Sequence, residues 1–221
     1  MLTTVCALIL ASQTGPATLT LEPTDDVWVY QFAEDQTNDE FLRVWGSDGT
    51  AVGTSFEGHL SFSYSCLKFS LPKDLPGQTL ATAKLVLTHT PEAGWTEKDS
   101  KANPVEARML PTDWNESNWS YENAKKIHPT ASASEIFGTG SAAPAPDDQP
   151  FVIEVNLMEK DGVFAKVFNE ASNDPSRILA MALTSKLEAN GENSVYKFYS
   201  KSNEAKLRPK LVLTFSASRR S

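Results

Sequence analysis

The residues of this sequence best suited to holding a ligand are large aromatics and lysines set two positions apart. A sugar ring presents C–H faces that stack on aromatic planes, so an exposed Trp or Tyr is a common physical means of gripping a glycan. Trp95 is the first candidate, because it stands in Thr90-Pro-Glu-Ala-Gly-Trp-Thr-Glu-Lys, a polar, turn-rich stretch with few strand neighbours to bury it. Lys197 and Tyr199 differ by two in a strand-like segment and so share a face, with Lys201 continuing the row. With Arg43 and Lys68 in or beside other strands, this ladder offers the cations that a uronate-containing polysaccharide needs. An ordinary solvated face carries the same pattern. Trp114 and Trp119 read as structural pins for a loop crossing one end of the domain.

Hard oxygen ligands gather near the start of the chain. Asp25 and Asp26, followed by Asp35, Asn38 and Asp39, fit a structural Ca2+, which takes about six to eight such oxygens. The stretch lacks the D-x-[DN]-x-[DN]-G loop, so acidic turns that begin strands are the favoured reading, and no cofactor is required. Catalytic machinery is sparse. His59, His89 and His128 show no metalloprotease spacing, and there is no G-x-S-x-G elbow, phosphate loop or dinucleotide fingerprint. His89 ends an apolar strand and is expected at the surface, and Cys66, inside a strand, is expected to be a small buried hydrophobe. A glycosidase pair of carboxylates meets only in space and leaves no spacing to read.

Charge and composition narrow the partners. The 221 residues carry a net charge of −8, which repels phosphate backbones, so nucleic acid is not expected. With 40% hydrophobic residues the chain can bury a core, and two cysteines do not make a disulfide framework. The apolar run from Val5 to Ala11, followed by small and polar residues to Ala17, has the length of a signal-peptide core rather than of a membrane span. Residues 1–17 are therefore read as a leader lacking the usual basic start, and the protein as secreted or displayed at a cell surface, without a membrane span and monomeric.

The elements that must position these residues are short and β-rich. Strands are expected at Thr18–Glu22, Val27–Tyr30, Phe41–Trp45, Phe62–Leu71, Ala83–His89, Pro104–Leu110, Phe151–Asn156, Ile178–Thr184, Val195–Ser200 and Lys210–Phe215. The apolar parity switches near Cys66, which predicts a bulge or bend there. One helix is expected over Leu157–Asn169. Many short strands with one helix call for an all-β, antiparallel β-sandwich of jelly-roll type, a single domain over 18–217 with a tail at 218–221. Residues 130–150, rich in Ala, Ser, Gly and Pro, are taken as a long internal loop.

Four segments carry a family resemblance: Leu21-Glu-Pro-Thr-Asp-Asp-Val-Trp-Val; Cys66-Leu-Lys-Phe-Ser-Leu with Leu80-Ala-Thr-Ala-Lys-Leu-Val-Leu; Thr112-Asp-Trp-Asn-Glu-Ser-Asn-Trp-Ser-Tyr; and Phe198-Tyr-Ser-Lys-Ser-Asn-Glu-Ala with Arg208-Pro-Lys-Leu-Val-Leu-Thr-Phe. Over roughly residues 18 to 216 the chain resembles the DNRLRE domain, also classed as carbohydrate-binding module family 96. The resemblance implies a secreted bacterial β-sandwich that acts as a non-catalytic module, with acidic polysaccharides such as alginate among its ligands. A structural or adhesion domain without a sugar site is the alternative, and a stand-alone polysaccharide-acting enzyme a third.

Overall fold

The computed structural model describes residues 15–30, 36–46, 62–76, 79–119, 123, 135–142, 148–160, 162–188 and 195–216. The leader read in residues 1–17 falls almost wholly outside them, as do Asp35, His59 and His128. Among the described residues eleven strands and two helices follow in the order β1 (Ala17–Leu21), β2 (Asp25–Val29), β3 (Phe41–Val44), β4 (Tyr64–Ser70), β5 (Leu80–His89), α1 (Glu97–Ala102), β6 (Val105–Met109), β7 (Ile136–Gly140), β8 (Phe151–Asn156), α2 (Val163–Asn173), β9 (Ile178–Thr184), β10 (Tyr196–Tyr199) and β11 (Lys210–Phe215). A 3-10 turn spans Glu116–Asn118.

One antiparallel sheet runs β1-β11-β5-β10-β3 with β8 on the other side of β5; the second runs β2-β4-β9-β6-β7. The chain changes sheets at nearly every connection, so each strand's apolar parity is directed at the opposite sheet. Leu85, Leu87, Leu211, Leu213 and Ile153 of the first sheet meet Leu67, Phe69, Met181 and Leu183 of the second in the principal core. The all-β sandwich read from the sequence is the fold.

Two departures from the sequence reading have physical causes. Residues 130–150 contain strand β7, although Gly138 and Gly140 give it the look of a turn. A Cβ on Gly138 would stand 1.8 Å from the backbone oxygen of Asn156, and one on Gly140 2.5 Å from that of Glu154. The glycines let β7 of one sheet lie directly against β8 of the other. The second helix begins at Val163, because Gly162, at φ 72°, adopts a left-handed conformation that ends the preceding turn. Leu157 still enters the core, from the end of β8, while Phe164, Phe168 and Ala171 form the buried face of α2.

No bulge occurs at Cys66. The pairing of β4 with β2 and β9 runs without a shift, and every residue from Tyr64 to Phe69 is buried. Leu67 and Phe69 face the principal core, whereas Tyr64 and Cys66 face a second one with Val27, Val29, Leu110, Trp114 and Trp119. The switch of parity in the sequence reports a strand covered on both sides. The segment 110–119 supplies that outer cover, and Trp114 and Trp119 meet edge to face with centroids 5.4 Å apart. A further short helix, α1, escaped the sequence reading. Its residues are polar, and it starts on a capping box in which the Thr96 hydroxyl accepts from the Asp99 amide and the Asp99 carboxylate accepts from the Thr96 amide.

Among the described residues no helix is long and apolar enough to cross a membrane.

Candidate functional site

The surface that gathers three of the six expected ligand residues, Arg43, Lys197 and Tyr199, is the outward side of β3 and β10. These strands pair antiparallel with Lys197 opposite Arg43 and Tyr199 opposite Phe41. Leu42, Val44, Tyr196 and Phe198, of the other parity, enter the core, so the four alternate residues must project outward. All four are half-buried. The Tyr199 and Phe41 rings lie 5.5 Å apart, and the Lys197 ammonium stands 4.2 Å from the centroid of Phe41. The Arg43 guanidinium lies 4.6 Å from the Trp28 ring. Cations over aromatic faces hold their own positions while leaving ring edges and N–H donors available.

Asp39 organises this edge. One carboxylate oxygen accepts from the Arg43 guanidinium at 2.7 Å and from Trp28 Nε1 at 2.9 Å, and the other accepts from the Phe41 amide at 3.0 Å. Beside Lys197 opens a cleft of about 280 Å3 lined by Thr90, Pro91, Glu92, Asp148 and Lys197. A concave polar cleft next to an aromatic pair has the composition of a site for a hydroxyl-rich ligand.

The remaining expected site residues go elsewhere. Lys201 does not continue the row, because β10 ends at Tyr199 and the chain turns at Ser200. Its ammonium pairs with Glu116 at 3.0 Å. Lys68 is buried; it donates to the Trp114 carbonyl and lies 4.5 Å from the Trp114 ring, so it serves the second core. Trp95 is half-buried against the principal core, 4.9 Å from Tyr196 and 5.2 Å from His89, and its indole N–H donates to the Val195 carbonyl at 3.2 Å. One side of its ring is spent on packing. The rest borders a separate cleft with Asp99, Asn103, Lys186 and Glu188.

Asp25, Asp26 and Asn38, the expected metal ligands, are placed by the turn and strand at the start of the second sheet. Asp25 and Asp26 are successive strand residues on opposite sides of β2, and Asn38 is exposed in a turn with φ 66°. Among the described residues no three His, Cys, Asp or Glu side chains gather around one point. Asp26 instead accepts from the Lys201 amide at 2.6 Å, while its own amide donates to Glu116 at 3.1 Å. Burial pushes its pKa up to about 7 against the Lys201 amide, with the neighbouring Glu116 carboxylate adding to the rise. Such a shifted carboxyl marks a catalytic acid only when substrate can reach it, and Asp26 is 3% exposed.

His89 is a correction of another kind. It shares parity with Leu85 and Leu87, and the structure buries it completely instead of leaving it at the surface. Its Nε2 accepts from the Lys197 amide at 3.0 Å, which places the proton on Nδ1, 2.7 Å from the Thr90 carbonyl. Phe151 stacks on the ring at 4.7 Å. Burial pushes its pKa down to about 4, so it is neutral and fixes the backbone from which Lys197 projects. Cys66 is wholly buried, as its strand position implied, and burial pushes its thiol up.

No family model matches this chain, and no curated protein does. Phe41 is the residue of this face that the sequence reading passed over, although it stands two before Arg43. Glu92 and Asp148 were also missed. They lie 56 positions apart in the chain and become neighbours only through the pairing of β5 with β8.

Proposed function

We propose that this chain is a non-catalytic polysaccharide-binding β-sandwich whose binding surface is the outward face of β3 and β10. The observation that carries the reading is the cross-strand register, which sets Phe41 beside Tyr199 and Arg43 beside Lys197 on one side of the sheet. Two adjacent rings give a sugar a surface to stack on, and the flanking cations and cleft give its hydroxyls hydrogen-bonding partners. Among the described residues, three groups that could do acid–base or nucleophilic chemistry are withdrawn from solvent, which supports binding over catalysis: His89 is buried and neutral, Cys66 is buried, and Asp26 is shut away behind the Lys201 loop. The four segments that resemble the DNRLRE domain point to the same class, and the apolar run Val5–Ala11 to export.

Affinity electrophoresis of the full chain through gels containing single polysaccharides tests the reading. Retardation by at least one polymer, reduced by Tyr199→Ala, is the expected result. Release of reducing ends from a polymer would overturn the non-catalytic assignment, and the absence of retardation by any polymer would favour a structural domain.

A further inference from the structure

The segment that covers the second core carries a modification motif on its outer side. Asp113-Trp-Asn-Glu-Ser117 contains the N-x-S acceptor of asparagine-linked glycosylation, with a residue other than proline in the middle. It also has an acidic residue two positions before the asparagine, the addition that one class of oligosaccharyltransferase requires. A second match, Glu116-Ser-Asn-Trp-Ser120, overlaps the first. The sequence alone ranks the two equally.

The structure separates them. Asp113, Asn115 and Ser117 are exposed, while Trp114 and Glu116 between them are buried. This alternation presents to solvent the three residues that define the acceptor, and it spends the two spacers as anchors. Trp114 packs in the second core, and Glu116 holds the Lys201 ammonium at 3.0 Å. The Asn115 carboxamide oxygen accepts from the Ser117 amide and from the Ser117 hydroxyl, each at 2.8 Å, which leaves Nδ2, the atom that takes the sugar, outside both bonds. In the second match the acidic position is Glu116 itself, 5% exposed and also accepting from the Asp26 amide, and the spacer before Ser120 is the buried Trp119. Its acid is therefore withdrawn from any enzyme that must read it.

We propose that Asn115 is an N-glycosylation site, modified on the exported chain by transfer of an oligosaccharide from a polyprenyl diphosphate carrier. Nδ2 forms a bond to the anomeric carbon of the first sugar, the bond from that carbon to the diphosphate oxygen breaks, polyprenyl diphosphate leaves with the electron pair, and Nδ2 gives up one proton. The attached glycan stands on the outer side of the second sheet, whereas the polysaccharide-binding reading concerns the outer side of the first. The inference goes beyond that reading and shares with it only export.

The test is expression of the full chain, with its own leader, in a bacterial host supplied with an acid-requiring oligosaccharyltransferase, its lipid-linked oligosaccharide and a control acceptor protein, followed by intact-mass measurement of the exported protein. A gain of one oligosaccharide mass is expected. Asn115→Gln and Ser117→Ala should abolish the gain, whereas Ser117→Thr, which keeps the hydroxyl, and Asn118→Gln should retain it. Asp113→Asn should lower the occupied fraction severalfold while leaving the melting temperature unchanged, since its side chain is exposed. A chain that stays in the cytoplasm, or an exported chain of unmodified mass in cells where the control acceptor is modified, would overturn the proposal. So would a gain that survives Asn115→Gln and disappears in Asn118→Gln.

Discussion

Two lysines on two aromatic rings show how differently this sandwich treats its two outer faces. Lys68 lies 4.5 Å from Trp114 and Lys197 lies 4.2 Å from Phe41, so the local chemistry is nearly the same. On the second sheet the segment 110–119 has folded over the strands, and Lys68 is sealed in a small core with its ammonium spent on a backbone carbonyl. On the first sheet no such cover lies over β3 and β10 among the described residues, and Lys197 lines an open cleft. A cation over an aromatic ring is therefore not by itself a sign of a binding site. What decides is whether another segment has already occupied the face.

Removing the cover should have the largest effect. Trp114→Ala should destabilise the fold by about 3–5 kcal/mol, the range for deleting a buried aromatic. That corresponds to roughly 6–20 °C of melting temperature in a chain of this size. Glycan affinity of the folded fraction should be unchanged. A melting temperature within about 2 °C of the parent would show that the second core is not a core.

The buried titrating groups divide between the same two regions, with opposite signs. His89, beneath the open face, has a folded pKa of about 4, below its unfolded value of 6.5. The unfolded chain then binds more protons, and stability is lost as pH falls from 6.5 towards 4. Asp26, beside the covered face, has a folded pKa of about 7, above its unfolded value of 3.8. Its contribution is present at low pH and is lost as pH rises from 3.8 towards 7. Between pH 4 and 6.5 the two oppose each other. Asp26→Asn removes one of them, so denaturant unfolding of that variant should show stability rising across this window by about 2–3 kcal/mol more than in the parent. Parallel profiles for variant and parent would contradict the burial argument for Asp26.

The same substitution in both regions sharpens the contrast. Lys68→Met leaves the Trp114 carbonyl without its buried donor and should cost about 1–3 kcal/mol of stability. Lys197→Met should change stability by no more than about 0.5 kcal/mol and should lower glycan affinity instead. Equal stability losses from the two variants would remove the distinction between the faces.

How far the sequence led follows from where covering segments come from. Strands β8, β9 and β11 end where their apolar runs end, because each alternates or runs apolar between clear turn residues. The shared face of Lys197 and Tyr199 was legible for the same reason: side-chain parity is local. Their pairing with Arg43 and Phe41 was not, since it joins segments about 155 positions apart. Lys201 was misplaced by carrying parity past the end of a strand, and Lys68 and Trp95 by judging exposure without knowing what packs on them. At Cys66 the parity switch was a real signal, but two-sided burial and a bulge leave the same trace in a single sequence.

The most direct measurement of the central claim is a paired one on Tyr199→Ala, with glycan affinity and melting temperature taken from the same preparation. Tyr199 projects outward and contacts Phe41 across the strand pair, a surface contact whose loss should cost under about 1 kcal/mol of stability. If its ring receives the sugar, affinity should fall about 10- to 100-fold, or roughly 1–3 kcal/mol, while the melting temperature moves by no more than about 4 °C. Unchanged affinity, or a stability loss of about 3 kcal/mol or more as for a core aromatic, would contradict the account.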